Sequence, residues 1–100
     1  MMSIEIPFNE WSRERLKKGL KRATSRSKQY GKVGQVFEVE GKQFKLDLVI
    51  RVPLFFVAEE LYLSEGCECY DEFLSVWTDI HPRRGYQPLD LVWYHHFKEI

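Results

Sequence analysis

The sequence predicts a single small α+β domain, in which a curved sheet or barrel carries short helices on its outside or across its openings. Its 100 residues are enough for one hydrophobic core and too few for two. Hydrophobic residues at 44% and aromatic residues at 15% are typical of a soluble globular domain and exclude a disordered chain. The predicted strands and helices also lack the regular alternation that a doubly wound parallel sheet requires.

The elements are predicted from periodicity and from turn residues. Alternation over residues 3–8 predicts a short strand, and Asn9 is a good N-cap for a helix that ends near Gly19. A loop over residues 30–34 leads into a hairpin, with strands at 36–39 and 44–52 joined by a turn at 40–42. Two helices follow at 55–63 and 70–80, separated by a turn at 64–66. A loop over residues 83–88 then leads to a final strand at 89–97.

The clearest strand is the run over residues 44–52, which alternates apolar and charged positions. Five apolar residues at every second position are predicted to share one face, namely Phe44, Leu46, Leu48, Ile50 and Val52. The charged residues Lys45, Asp47 and Arg51 are predicted to occupy the other face.

The net charge of zero hides an asymmetry between the two halves of the chain. Residues 1–51 hold 12 Lys and Arg against 6 Asp and Glu, whereas residues 52–100 hold 3 against 9. Such halves can neutralise each other on folding, or they can leave a basic face for phosphates or an acidic face for a basic partner. The asymmetry permits nucleic-acid binding without demonstrating it.

The basic stretch over residues 19–26 is the most informative part of the chain. A regular strand would place Lys21 and Thr24 on opposite faces, so a bend near Arg22 or Ala23 must bring them together if they cooperate. Thr24 and Arg26 would share one face of the strand that follows. The alternative is that Gly19 simply ends the helix and the rest is a basic connector.

Gly19, Lys21, Thr24 and Arg26 match the G-x-K-x-x-T-x-R signature of the ASCH domain, the activating-signal-cointegrator homology family of the PUA-like superfamily. Further blocks resemble the family in the expected order and extend the resemblance over nearly the whole chain: residues 31–37, 52–54, 65–66, 70–73 and 92–97. The chain departs from the pattern at Gln35, where an Asp is common.

The resemblance implies a five- or six-stranded PUA-like barrel with two or three helices at its rim and a polar cleft. It also implies binding of RNA, a nucleotide or a modified nucleoside, or hydrolysis of the amide of acetylcytidine. Matched by motif, the catalytic roles fall on Lys21, Thr24 and Glu65, with Glu68 as the alternative acid and Arg26 as a substrate or phosphate ligand.

The chemistry leaves three interpretations of these residues open. Amide cleavage by Thr24 needs a neutral Lys21 as base, and therefore a Glu65 that is protonated or engaged elsewhere. Binding requires neither condition, because a charged Lys21 can contact a phosphate or a base edge. In a purely structural interpretation, Lys21 and Glu65 form an ion pair across the mouth of the barrel.

Loop residues are predicted to complete a ligand surface. Tyr30 and Tyr86 lie in predicted loops and are candidates for stacking an unpaired base, whereas the three tryptophans are predicted to be core residues. The full set of ligand-binding candidates besides the catalytic three is Gly19, Arg22, Arg26, Tyr30, Arg83, Arg84 and Tyr86.

No metal or cofactor is expected. His95 and His96 are consecutive in a strand and must point to opposite faces, so we predict that one is packed and the other exposed. Cys67 and Cys69 are too close for an ordinary disulfide and lack the spacing of a zinc site, so reduced thiols are expected.

We therefore predict an RNA- or nucleoside-binding domain over residues 1–100, with an amidohydrolase acting on acylated cytidine as the alternative. A protein-interaction module whose acidic half docks a basic partner is the third possibility. The absence of a long apolar run or a signal-like start predicts a cytoplasmic protein that does not bind membranes, and a monomer is possible.

Overall fold

The computed structural model describes residues 3–100, which form three helices and four strands. In chain order these are α1 (Glu10–Lys17), β1 (Ala23–Arg26), β2 (Val36–Val39), β3 (Lys42–Pro53), α2 (Leu54–Glu60), α3 (Tyr70–Ile80) and β4 (Leu91–Glu99). None of the helices in this part of the chain is long and apolar enough to cross a membrane. The predicted α+β class is confirmed.

The four strands form one antiparallel sheet in the order β1-β4-β3-β2, which curls into a half-barrel. The described residues thus supply four strands rather than five or six. The predicted strand over residues 3–8 is reduced to one parallel bridge between Ser3 and Val36. Its apolar side chains, Ile6 and Phe8 among them, pack into the core, so packing rather than a hydrogen-bonded ladder holds this segment.

Turn and cap chemistry sets the ends of several elements as predicted. The Oδ1 atom of Asn9 accepts the backbone N–H of Ser12 at 2.8 Å and caps α1. The hairpin between β2 and β3 turns on Glu40 and Gly41, both with positive φ, as a two-residue type I′ turn requires. Helix α3 has the predicted bounds, whereas α2 ends earlier and β4 begins later than the sequence indicates.

A bulge in β3 changes which of its side chains share a face. The pairing register with β4 shifts between Leu46 and Leu48, so Asp47 is an extra residue. An extra residue reverses the alternation of the strand. Leu46 consequently packs on one face of the sheet and Ile50 on the other. The prediction that the apolar residues of 44–52 share a single face is wrong for this reason.

Each face of the sheet therefore has its own core. The first is aromatic, is covered by α1 through Leu16, and is built from Ile6, Leu16, Phe37, Val39, Phe44, Leu46 and Phe97. The second is covered by α2 and α3 and is built from Ala23, Leu54, Val57, Ala58, Cys67, Phe73, Val92 and Tyr94. Strand β1 lies at the edge of the sheet, where side chains from both faces can border one cavity.

Candidate functional site

A cavity of about 290 Å³ lies beside β1, between the start of α1 and the C-terminal half of α3. Its polar lining is supplied mainly by the signature segment and the turn after α2, through Lys21, Thr24, Ser25, Arg26 and Glu65. Its apolar lining includes four aromatic residues from α1, α3 and the loop after β1, namely Trp11, Tyr30, Phe73 and Trp77. The cavity thus joins buried charges to an aromatic wall.

The turn at Gly19, just after α1, directs the chain so that Lys21 reaches this cavity. Gly19 has a φ of +74°, a left-handed value that suits the residue after a helix. The chain then runs alongside the turn after α2, where the backbone N–H groups of Arg22 and Ala23 both donate to the carbonyl of Ser64 at 2.7 and 2.9 Å. This docking places Lys21 beside Glu65, the residue after Ser64.

Lys21, Glu65 and Ser25 form a buried hydrogen-bonded chain. The Nζ atom of Lys21 donates to the backbone carbonyl of Glu65 at 2.9 Å and to the side-chain Oε1 atom of the same residue at 3.3 Å. The Ser25 hydroxyl donates to Oε2 of the same carboxylate at 2.7 Å. All three residues are at most 6% exposed. Burial lowers the pKa of Lys21 from its usual 10.5, and the charge of Glu65 opposes that shift.

Thr24 and Arg26 form a second polar pair on the other face of β1. The Nε atom of Arg26 donates to Oγ1 of Thr24 at 2.9 Å, so the two side chains share a face as predicted. The guanidinium lies 5.0 Å from the ring centroid of Phe8 and 5.3 Å from that of Tyr30. The accepted hydrogen bond leaves the Thr24 hydroxyl proton free for another acceptor.

The hydroxyl that contacts the acidic residue belongs to Ser25, which sequence analysis did not single out. Ser25 occupies a variable position of the signature, and its neighbours Thr24 and Arg26 occupy fixed ones. Alternation along β1 turns Ser25 toward Glu65 and turns Thr24 away. That alternation was the one signal in the sequence that set Ser25 apart from its neighbours.

Of the two candidate acids, Glu65 lies in the cavity and Glu68 does not. Glu65 is 6% exposed and bonds to Lys21 and Ser25. Glu68 is exposed, and its backbone N–H donates at 2.9 Å to the carboxylate of Glu72, which lies in the first turn of α3.

No protein-family model matches the chain, and no curated protein matches its sequence. Among solved structures, an ASCH domain from Lactobacillus crispatus superimposes with a TM-score of 0.67 at 18% identity, over 94% of this chain and 76% of that one. A protein of the DUF984 family from Enterococcus faecalis superimposes with a TM-score of 0.69 at 21% identity, over 100% of this chain and 82% of that one. The chain has the ASCH fold. The ASCH fold implied by the signature is thereby confirmed, although the sheet is a four-stranded half-barrel and not a barrel of five or six strands.

In this ASCH fold, five of the predicted ligand residues lie outside the cavity lining, namely Gly19, Arg22, Arg83, Arg84 and Tyr86. Gly19 and Arg22 border a shallower pocket formed with β3 and β4. The guanidinium of Arg84 is paired through two nitrogens with Asp90, which fixes it in the loop before β4. Tyr86 packs against the core under α2 and α3, and burial raises its pKa to about 12.

Two tryptophans, which the sequence predicts to be core residues only, also border the cavity of the ASCH fold. Trp77 stacks with His81 at a centroid distance of 4.2 Å and with Phe73 at 5.9 Å, so α3 presents a column of three rings. Trp11 carries the guanidinium of Arg15 at 4.6 Å from its ring centroid. Both tryptophans are half-buried, because they bridge the core and the cavity.

His95 hydrogen-bonds two segments that line the cavity. It is fully buried, as predicted for one of the two histidines, whereas His96 is half-buried and not exposed. Its Nε2 atom accepts the backbone N–H of Tyr30 at 3.0 Å, so Nδ1 carries the proton and donates to the carbonyl of Thr24 at 3.1 Å. A neutral imidazole thus joins β1 to the loop that carries Tyr30.

Stability is expected to fall as the pH drops below about 6.5, because protonated His95 cannot accept the Tyr30 N–H. Burial lowers the His95 pKa in the folded state from its usual 6.5, so the unfolded chain binds the proton first as the pH falls. Urea denaturation at several pH values between about 5 and 7 checks this in the wild type and in His95→Asn. Equal slopes of unfolding free energy against pH in the two proteins would contradict it.

Cys67 also lines the cavity, and Cys69 is exposed; both are free thiols. Burial raises the pKa of Cys67 to about 12, so its thiol stays protonated at neutral pH and is a poor nucleophile. Within residues 3–100, no three His, Cys, Asp or Glu side chains come together as metal ligands.

Proposed function

We propose that the cavity binds a single nucleobase, carried by a nucleoside or by one nucleotide of an RNA. The observation that supports this most is the pairing of a buried amine and carboxylate, Lys21 and Glu65, with an aromatic wall. Its volume of about 290 Å³ lies at the small end of ligand pockets, which favours a ligand the size of a nucleoside.

The polar pair offers the hydrogen-bonding pattern that a cytosine edge requires. Lys21 has three N–H donors and uses two of them on Glu65, which leaves one for a ring nitrogen or a carbonyl oxygen. The Glu65 carboxylate retains lone pairs that can accept from an exocyclic amine. Uracil has a carbonyl in place of that amine, so the same carboxylate would repel it.

Calorimetric titration of the protein with cytidine, acetylcytidine and uridine tests this proposal. We expect the two cytidines to bind and uridine to bind at least tenfold more weakly, since a buried carboxylate facing a carbonyl costs more than about 1.4 kcal/mol. Lys21→Met should abolish binding, whereas Lys17→Met, at an exposed position on α1, should leave it unchanged. Equal affinity for cytidine and uridine, or no binding of either, would refute the proposal.

A second candidate is hydrolysis of an acylated cytidine, which two features of the site favour. Burial lowers the pKa of Lys21 and so enlarges its neutral, basic fraction. The Nε atom of Arg26 donates to Oγ1 of Thr24 and would stabilise negative charge developing there. The Thr24 hydroxyl would then attack the amide carbonyl.

The step conserves atoms and charge if the proton shuttles through Lys21. Thr24 and Lys21 both line the cavity but make no direct hydrogen bond, so the Thr24 proton would reach the Lys21 amine through a water molecule in the cavity as the oxygen–carbon bond forms. The leaving cytidine nitrogen takes that proton as the amide C–N bond breaks. Water then cleaves the resulting threonine ester and releases the carboxylic acid. The protein-interaction alternative has no comparable feature among the described residues and stays a prediction.

A further inference from the structure

A second polar surface begins at the cavity and runs outward across the sheet. On one face, Trp93 of β4 pairs with Arg26 of β1 on one side and with Arg51 of β3 on the other. Directly opposed residues in an antiparallel pair have Cβ atoms about 4.5–5.5 Å apart. The Arg51 guanidinium lies 5.6 Å from the Trp93 ring centroid, so this row is continuous.

Tyr30 and Lys28 extend the row along the loop after β1. Tyr30 lines the cavity and has Arg26 at 5.3 Å and the Nζ atom of Lys28 at 4.8 Å from its ring centroid. Arg26, Lys28, Tyr30, Arg51 and Trp93 are named here the basic strip. It therefore consists of three cations and two aromatic rings.

The cations of the basic strip are not neutralised by neighbouring acids. In residues 3–100, every ion pair within 4.0 Å involves other cations, and none includes Arg26, Lys28 or Arg51. Lys28 and Arg51 are exposed. Their charges therefore remain available to an anionic ligand, although the chain as a whole has no net charge.

The strip exists because of the bulge at Asp47. Unbroken alternation would have placed Arg51 on the face away from Trp93, together with Lys45. The extra residue reverses the alternation and brings Arg51 to Trp93. Arg51 is thus carried to the same face and the same cross-strand row as Arg26, which lines the cavity.

We propose that the basic strip binds the nucleotides next to the one in the cavity, so that the ligand is a short single strand of RNA rather than a free nucleoside. The proposal rests on the proposed function in one respect only, namely that one base of the strand occupies the cavity. Arg51 and Lys28 would contact phosphates, and Trp93 would stack a neighbouring base. A duplex is disfavoured, because paired bases cannot reach either the cavity or the Trp93 ring.

The strip also favours nucleic acid over an acidic peptide. Aromatic rings alternating with arginines offer both a stacking surface and phosphate contacts, which a single-stranded nucleic acid uses at every nucleotide. A carboxylate-rich peptide would use the charges and leave the rings without a partner. Binding of polyglutamate as tightly as RNA would therefore overturn the proposal.

Fluorescence anisotropy of a short labelled oligocytidylate, titrated at several salt concentrations, tests the strip. We expect Trp93→Ala to weaken binding about tenfold or more. Arg51→Ala should reduce the slope of log affinity against log salt by about 1. Lys45→Ala removes one positive charge from an exposed position of β3 outside the strip and should leave affinity within about twofold of wild type.

Cytidine titration of the same variants separates the strip from the cavity. Trp93→Ala and Arg51→Ala should bind free cytidine like the wild type, because neither residue lines the cavity. The wild type could bind the oligonucleotide but not cytidine, and Trp93→Ala could then weaken the oligonucleotide binding. That pair of results would support the strip and refute the cavity proposal. Wild-type oligonucleotide affinity in both folded strip variants would overturn the strip, whatever cytidine does.

Discussion

Replacing Glu65 by alanine is expected to lower the free energy of unfolding by about 3–5 kcal/mol at neutral pH. The substitution leaves the Lys21 ammonium, which is 5% exposed, without its counterion, and it also deprives the Ser25 hydroxyl of its acceptor. A buried cation without a partner costs more than the ion pair contributes. Urea denaturation measures the loss.

Two variants separate this effect from the mere loss of a carboxylate. Glu14→Ala removes an exposed partner of Lys18 and should cost far less, because water screens that pair. The double variant Lys21→Met with Glu65→Leu should lose less than Glu65→Ala alone, since no buried charge is left behind. A loss below about 1 kcal/mol in Glu65→Ala would mean that the pair is hydrated and not buried.

Replacing Lys21 by methionine is expected to reduce the hydrolysis of acetylcytidine by about 10²- to 10⁴-fold, the range of a general base. Methionine preserves the length of the side chain but cannot accept the Thr24 proton. Chromatographic detection of released cytidine measures the rate, and Lys17→Met is the matched control at an exposed position. Hydrolysis that persists undiminished in folded Lys21→Met would refute the mechanism.

The pH profile gives an independent check on Lys21. A lysine acts as base only when neutral, so the rate should rise with pH until the pH passes the Lys21 pKa and then level off. Burial lowers that pKa from its usual 10.5, so the plateau should begin below this value. A rate that does not change with pH across this range would exclude Lys21 as the base.

The parts that local chemistry decides could be predicted from the sequence. The apolar spacing of residues 70–80 and the turn residues on either side of them define α3, because a helix needs only its own residues to form its hydrogen bonds. The hairpin at Glu40 and Gly41 follows from local turn preferences in the same way. The signature segment likewise identified Lys21, Thr24 and Arg26, which all line the cavity.

The contacts between distant segments could not be predicted from the sequence. Lys21 meets Glu65 across 44 residues, because the signature segment docks on the Ser64 carbonyl, and no local pattern encodes that register. Strand alternation then gives Ser25, rather than Thr24, the hydrogen bond to the carboxylate. Arg83, Arg84 and Tyr86 lie in a loop of suitable composition, yet its path holds them away from the cavity.

By itself, the sequence determined the α+β class, the order of most elements and the cationic and hydroxyl groups of the site, since these depend on short-range periodicity and residue chemistry. Only the tertiary structure decided which side of the sheet each group occupies. The bulge at Asp47 illustrates the reason: one extra residue reverses the alternation of β3 and moves Arg51 to the face of Trp93. Pairing with β4 fixes that register, and β4 lies some forty residues further along the chain.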